Sequence, residues 1–377
     1  MIATIMGDFG ADVIKVEHPS GDSLRSTGWV KDGVALWWAL ASRNKRCVTL
    51  NLSVARGQEL LKRLVGDADV LIENFRPATL ERWNLDPSVL HDLNPGLVIV
   101  RVSGFGQTGP YAERPGFGTL AESMSGFAHL NGWPDTPPTL PPTALGDGVA
   151  AMTGCFTAMF ALWWREHGGN GAGQVIDLSI FEPLFWILGP QALVYDSLGV
   201  VPERSGNRLQ FAAPRNIYRT SDGQWLAVSA TAQSVAERLV RLVGREDLVA
   251  EPWFADNGGR VAHADELDAV LQEWIGERTA RQVTAAFVEA QAAIAPVYSI
   301  ADIVEDPQYL ARDTLVRVEH PVLGEVLMQN AIVHLSETPG RIDHPGPGLG
   351  EHNEAVYIDE LGLSRAELAA LKEQGVV

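Results

Sequence analysis

An α/β fold built on a parallel sheet is predicted for this 377-residue chain by three observations. Apolar strands alternate with amphipathic helices through the first half. A hydrophobic content of 46% gives a chain of this length a sizeable core, enough for two domains. A second set of turn-marked strands and helices begins near residue 215. In order, residues 11–17 and 47–52 read as strands, 54–65 as a helix, and 70–74 and 97–103 as further strands. This βα alternation makes the strands parallel, with helices on the sheet faces. Ligands then bind beyond the carboxyl ends of the strands, where Glu73-Asn74-Phe75-Arg76 and Ser103-Gly104-Phe105-Gly106 fall. The connection from Gly104 to Pro142 is rich in Gly and Pro and long for a plain connector, which marks a functional segment.

Residues 148–164 are almost wholly apolar or small and end in Arg165, Glu166, His167 and a Gly168-Gly169 stop, so they read as a buried helix. Asp147 falls at or near its N-cap, where unpaired backbone N–H groups and the helix dipole favour an ionised carboxylate. Such a group serves either as an ordinary cap or as a nucleophile. Beyond it, 174–180 reads as a strand and 200–214 as a crossing linker. A hairpin-like pair over 215–219 and 225–230 is joined by Ser221-Asp222-Gly223, and helices follow over 234–243, 264–275 and 280–289. A Pro/Gly-rich linker near 338–350 precedes closing helices over 354–361 and 365–374.

The net charge of −18, from 47 acidic and 29 basic residues, disfavours nucleic acid and anionic membrane as partners. The two cysteines, Cys47 and Cys155, sit in apolar company and fit a reducing, cytoplasmic setting rather than a disulfide framework. The apolar run at 148–164 is Gly-interrupted and starts beside an Asp, so it is read as a core helix and not a membrane span.

The segment Gly104-Phe105-Gly106-Gln107-Thr108-Gly109 matches a dinucleotide fingerprint after a strand, but Pro110, Pro115 and Gly116 deny it the helix that would hold a pyrophosphate. The histidines show no metal-ligand spacing, and no GxSxG elbow occurs. Basic residues gather as Arg43, Lys45 and Arg46 before one strand and as Arg76 and Arg82 after another, where they either meet phosphates or stay solvated.

Six segments together resemble the family III CoA-transferases: residues 10–17, Asn44 to Leu50, Glu73-Asn74-Phe75-Arg76-Pro77, Ser103 to Tyr111, Gly146-Asp147 and Gly348-Leu349-Gly350-Glu351-His352. The resemblance runs along the whole chain. It implies a Rossmann-like larger domain formed by both chain ends, a smaller central α+β domain, and an interlocked homodimer. The implied division is 1–195 for the larger domain, 196–214 for a linker, 215–300 for the smaller domain, 301–340 for a return linker, and 341–377 for helices packing back on the larger domain.

It also implies that Asp147 attacks an acyl-CoA thioester and passes through an aspartyl-CoA thioester. Contacts to coenzyme A fall at His18, at Leu50, Asn51, Leu52 and Ser53, at Asn74, Phe75 and Arg76, at Arg82, and at Pro115, Gly116, Phe117 and Gly118. The substrates are then an acyl-CoA, succinyl-CoA being one candidate, and a carboxylic acid, with no metal or redox cofactor. Members of the family open with a strand and a Gly-Pro loop ahead of the helix whose remainder is 2–10, so that opening is expected to be missing here. A glycine-rich flap is reduced to Ser205-Gly206-Asn207-Arg208. The same fold hosts α-methylacyl-CoA racemases, whose histidine aligns with Phe117, a residue that carries no proton. A non-catalytic CoA-binding protein is the third alternative.

Overall fold

The computed structural model describes all 377 residues. Two units divide the chain: Met1–Ser125, Pro141–Gly189 and Pro307–Val377 form one, and Gly126–Leu140 and Pro190–Asp306 form the other. The first unit therefore contains both chain ends. It opens with α1 (Ile2–Asp8), followed by β1 (Val13–Glu17) and β2 (Lys45–Thr49), which pair in parallel with Glu17 opposite Thr49. β2 is lined by the fully buried Cys47 and Val48. The next helix, α2 (Ala55–Val65), turns Leu60, Leu61 and Val65 into the core and places Lys62 and Arg63 at its C-terminal turn, where cations oppose the helix dipole.

β3 (Val70–Glu73) and β4 (Val98–Ser103) are parallel neighbours in a separate sheet. The helix Pro87–Leu93 that links them starts with Pro at its first turn and is capped by Asp86, which accepts from the backbone N–H groups of Ser88 and Val89. After α3 (Gly118–Met124) and α4 (Leu145–His167), β5 (Val175–Ser179) completes this sheet on the other side of β4. The parallel strands expected from the alternation are thus present, divided between a two-stranded and a three-stranded sheet.

The C-terminal segment clips onto β2. Asn353 accepts from Thr49 N at 2.9 Å and donates to Thr49 Oγ1 at 2.7 Å, while Tyr357 Oη donates to the Thr49 carbonyl at 2.9 Å. Val356, Tyr357, Leu368 and Leu371 then share a core with Val48, Leu50, Leu60, Leu90 and Ile99. The expected helix over 354–361 is a π-helical turn, Ala355–Glu360.

α4 departs from the expected buried helix in two ways. It starts three residues earlier than the apolar run, and only one of its faces is buried. Ala151, Ala158 and Ala161 pack with Val98, Val100 and Leu178, and at Gly154 a Cβ would come within 2.3 Å of Ile2 Cδ1. The opposite face leaves Met152, Phe156, Met159, Phe160 and Trp163 exposed. Because both faces are apolar, no hydropathy period separates them. The helix is long and apolar enough to cross a membrane by composition, yet its small-residue face belongs to the core of the first unit.

In the second unit, Arg215–Arg219 and Trp225–Ser229 form the expected antiparallel hairpin, and Ile294–Pro296 adds a third strand. Helices Gln233–Leu242, Ala264–Gly276 and Ala280–Glu289 bury Leu239, Leu271, Ile275 and Phe287 against Tyr218 and Leu226. Residues 126–140, within the span 1–195 read as the larger domain, bond inside this second unit: Gly206 N donates to Gly132 O, and Arg204 Nη1 to His129 O. The span 301–340, read as a return linker, carries an antiparallel hairpin, Leu315–His320 with Gly324–Gln329.

Candidate active site

Asp147 lies in the first turn of α4, as its third residue rather than its cap. The cap position belongs to Ala144, which has no side chain to accept a hydrogen bond. Glu122 of α3 does that work instead: its Oε1 accepts the Gly146 N–H at 3.0 Å. The helix start was displaced in the sequence reading because Leu145 and Gly146 resemble loop, and the cap comes from a residue distant in sequence. Burial and the nearby Glu122 charge push the Asp147 carboxyl above its ordinary range. The fully ionised carboxylate expected from the helix dipole is thus opposed by its surroundings. Gly118 lies directly against this group; a Cβ there would stand 2.7 Å from Asp147 Oδ2.

The candidate coenzyme A residues fall at strand ends. His18 and Leu50 follow the carboxyl ends of the paired β1 and β2, and Leu50 N donates to Glu17 O at 2.6 Å. His18 is exposed and accepts from Ser20 N at 3.1 Å. Leu50 itself is core, 1% exposed, so only its backbone can face a ligand. Asn51 folds back on Ser53, accepting from its N and Oγ at 3.0 and 2.6 Å, and Leu52 O accepts from Gln58.

Asn74, Phe75 and Arg76 leave β3 as an exposed loop. Glu73 holds that loop by accepting from Phe75 N at 2.8 Å, and Arg101 holds Glu73 in turn, also at 2.8 Å. Phe75 meets Trp83 edge-on at 5.1 Å, Arg82 donates to Thr79 Oγ1, and the exposed Arg76 guanidinium has no hydrogen bond or ion pair within the chain.

Beyond β4, Gly104 and Gly116 touch backbone to backbone: a Cβ on Gly104 would lie 2.4 Å from Gly116 Cα. This contact brings the segment Pro115 to Gly118, with Gly116 and Phe117 between them, back to the end of β4, and of these Gly118 lies against Asp147. The fingerprint-like glycines between them serve turns, Gly106 at φ 86° and Gly109 at φ 91°, and the next helix begins only at Gly118.

Three of the basic residues are unavailable for phosphate. Arg43 is buried against Asp8 at 2.6 and 3.0 Å, Lys45 is buried and donates to Ala41 O at 2.6 Å, and Arg46 pairs with Asp12 and Glu360. Their clustering at the start of β2 serves internal contacts, Arg43 to α1 and Arg46 to Asp12 and the C-terminal segment. Arg101 and Glu122 were missed in the sequence; a lone carboxylate in the otherwise uncharged stretch 117–128 was the one available signal for Glu122. No group of three His, Cys, Asp or Glu side chains is arranged to hold a metal ion.

The chain is a mixed α/β protein with an aspartate at a helix start beside a glycine, and the profile of CoA-transferase family III matches residues 1–353. The chain belongs to that family and is a CoA-transferase. It is similar to the succinyl-CoA–D-citramalate CoA-transferase of Chloroflexus aurantiacus, at 41% identity over 99% of this chain and 93% of that protein. The alpha subunit of the succinyl-CoA–L-malate CoA-transferase of Chloroflexus aurantiacus is 38% identical over 100% of this chain and 88% of its own length. A crystal structure of a CAIB/BAIF family protein from Brucella suis superposes with a TM-score of 0.81 at 32% identity, covering 97% of this chain and 94% of that one.

Proposed function

We propose that this enzyme moves coenzyme A from an acyl-CoA donor to a free carboxylic acid through a covalent aspartyl-CoA thioester on Asp147. The observation that carries the mechanism is the Asp147 carboxylate itself, free of hydrogen bonds and ion pairs from the chain and set over the bare backbone of Gly118. A carboxylate oxygen adds to the thioester carbonyl, the C–S bond breaks, and coenzyme A leaves as thiolate. The donor acyl group remains on Asp147 as a mixed anhydride. The thiolate then attacks the Asp147 carbonyl carbon and expels the donor acid as a carboxylate. The acceptor carboxylate repeats the sequence in reverse, leaving as its CoA thioester and restoring Asp147. No proton is transferred at any step.

The relatives' names make succinyl-CoA the first donor to try and a hydroxylated dicarboxylic acid the first acceptor. Coenzyme A would lie along His18, Leu50, Asn51, Leu52 and Ser53, then Asn74 to Arg76 with Arg82, and reach Asp147 past Pro115 to Gly118. Arg76, unpaired and exposed at the end of β3, is suited to a phosphate. The first unit is read as Rossmann-like, and the chain as an interlocked homodimer in the cytoplasm. The exposed apolar stripe on α4 supports a second copy as the covering surface, and two free cysteines suit a reducing compartment. Exchange of an α-proton would need an acid or base where Phe117 stands, and phenylalanine supplies neither.

The test is intact-mass spectrometry after incubation with succinyl-CoA, with hydroxylamine as trap and Asp147→Ala as control. A CoA-sized adduct mapped to Asp147 is the expected result. Absence of an adduct together with deuterium uptake at the α-carbon of a 2-methylacyl-CoA would replace transfer by isomerisation.

A further inference from the structure

We infer that Glu122 is a positioning residue for Asp147: its buried carboxylate fastens the first turn of α4 and holds a second negative charge against the nucleophile until acylation removes one of the two. The inference rests on Asp147 being the group that is acylated.

Glu122 is 3% exposed and has no ion-pair partner. Its Oε1 takes the Gly146 N–H, an orphan of the helix N-terminus that Ala144 cannot satisfy. A Cβ on Gly146 would sit 3.6 Å from Glu122 Cγ, so the two segments are in contact at the residue just before Asp147. A neutral amide of the same shape could accept that hydrogen bond too, without the cost of burying an unpaired charge. The charge therefore calls for a separate explanation.

That explanation is its neighbour. Asp147 loses its negative charge when it becomes an anhydride or a thioester, and the repulsion from Glu122 is then relieved. A charge placed this way raises the energy of the free carboxylate and favours its covalent forms. Other charged groups on the elements packed against α4 are engaged elsewhere. Asp8 pairs with Arg43, Arg101 with Glu73 and Glu81, Asp177 accepts from Gln107 N, and Glu182 bonds Ser179 Oγ. Glu122 is the acidic neighbour whose charge bears on Asp147, while Arg165, Glu166 and His167 lie at the far end of α4.

Protonation and acylation both neutralise Asp147, so removing the Glu122 charge shifts both equilibria together. In Glu122→Gln the titration midpoint of Asp147, followed through its labelled carboxyl carbon by NMR, is expected to fall. The fraction of enzyme carrying the adduct at a fixed succinyl-CoA concentration falls by the same factor, about tenfold per unit. Circular dichroism and melting show that the variant stays folded. Glu122→Ala also removes the acceptor for Gly146 N and loses more turnover than Glu122→Gln. An unmoved midpoint in Glu122→Gln overturns the inference whatever the activity, as does a lowered midpoint with undiminished adduct. A lowered midpoint with no adduct on Asp147 in the unsubstituted enzyme supports the charge coupling and overturns the covalent mechanism instead.

Discussion

Gly118 lacks a side chain at the place where Asp147 needs room: a Cβ on Gly118 would lie 2.7 Å from Asp147 Oδ2 and 3.0 Å from its Cγ. The start of α3 and the start of α4 are thereby in contact through one glycine and one carboxylate.

Gly118→Ala is expected to displace the Asp147 carboxylate while leaving the fold intact. A shift on the scale of an ångström at a reacting group costs about 100-fold in rate. Steady-state transfer should show that loss in kcat, with the circular dichroism spectrum unchanged; an alanine variant of normal kcat would show that Asp147 has slack.

The pH dependence follows from the raised Asp147 pKa. In the proposed mechanism the ionised form of Asp147 is the nucleophile, so transfer is expected to decline as pH falls, beginning above the ordinary aspartate value of about 4. For stability the sign is opposite. A carboxyl whose folded pKa exceeds its unfolded one opposes folding once pH passes that window. Asp147→Asn should therefore melt higher than the unsubstituted enzyme at neutral pH, and the difference should vanish below the ordinary carboxylate pKa.

Lys45 gives a second pH test. Burial, with help from Lys15, lowers its pKa from 10.5 to about 8. Between those values the unfolded chain binds more protons, so Lys45 makes stability rise with pH there; below 8 the full cost of a buried ammonium is felt. Lys45→Met should raise the melting temperature at pH 7, with an advantage that shrinks as pH climbs past 8.

Arg76→Ala should weaken coenzyme A binding roughly tenfold without altering the fold, the loss of one charge-assisted contact. Isothermal titration decides it, and unchanged affinity would make this arginine mere surface.

Phe160→Glu combined with Trp163→Glu places two charges on the stripe of α4, where each residue is 66% exposed. If a second copy covers this face, light scattering should report the mass of a single chain, against twice that for the unsubstituted enzyme.

Much of the scaffold is legible because its strands are short apolar runs bounded by turn residues: the strands at 13–17, 70–73 and 98–103 sit within the stretches expected, while the strand expected over 47–52 runs over 45–49, opening on the two basic residues that apolarity does not mark. Asp147 stands out in the sequence because it heads the apolar run, while its place inside the first turn rather than at the cap does not. What escaped depends on contacts between distant positions. Nothing near Leu145 announces that Glu122 will cap its helix, and nothing near Arg43 shows that Asp8 will claim it. The exposed face of α4 is hidden for another reason: an all-apolar helix gives no periodic clue to which side meets solvent.

The backbone contact between Gly104 and Gly116 ties off the loop 105–115 at its base. The length of the loop is thereby uncoupled from the contact between Gly118 and Asp147. Residues added within 105–114 leave that contact in place, whereas one residue inserted between Gly116 and Gly118 would be felt at the carboxylate at once. The two glycines divide the segment into a portion that can change its length and a portion tied to Asp147.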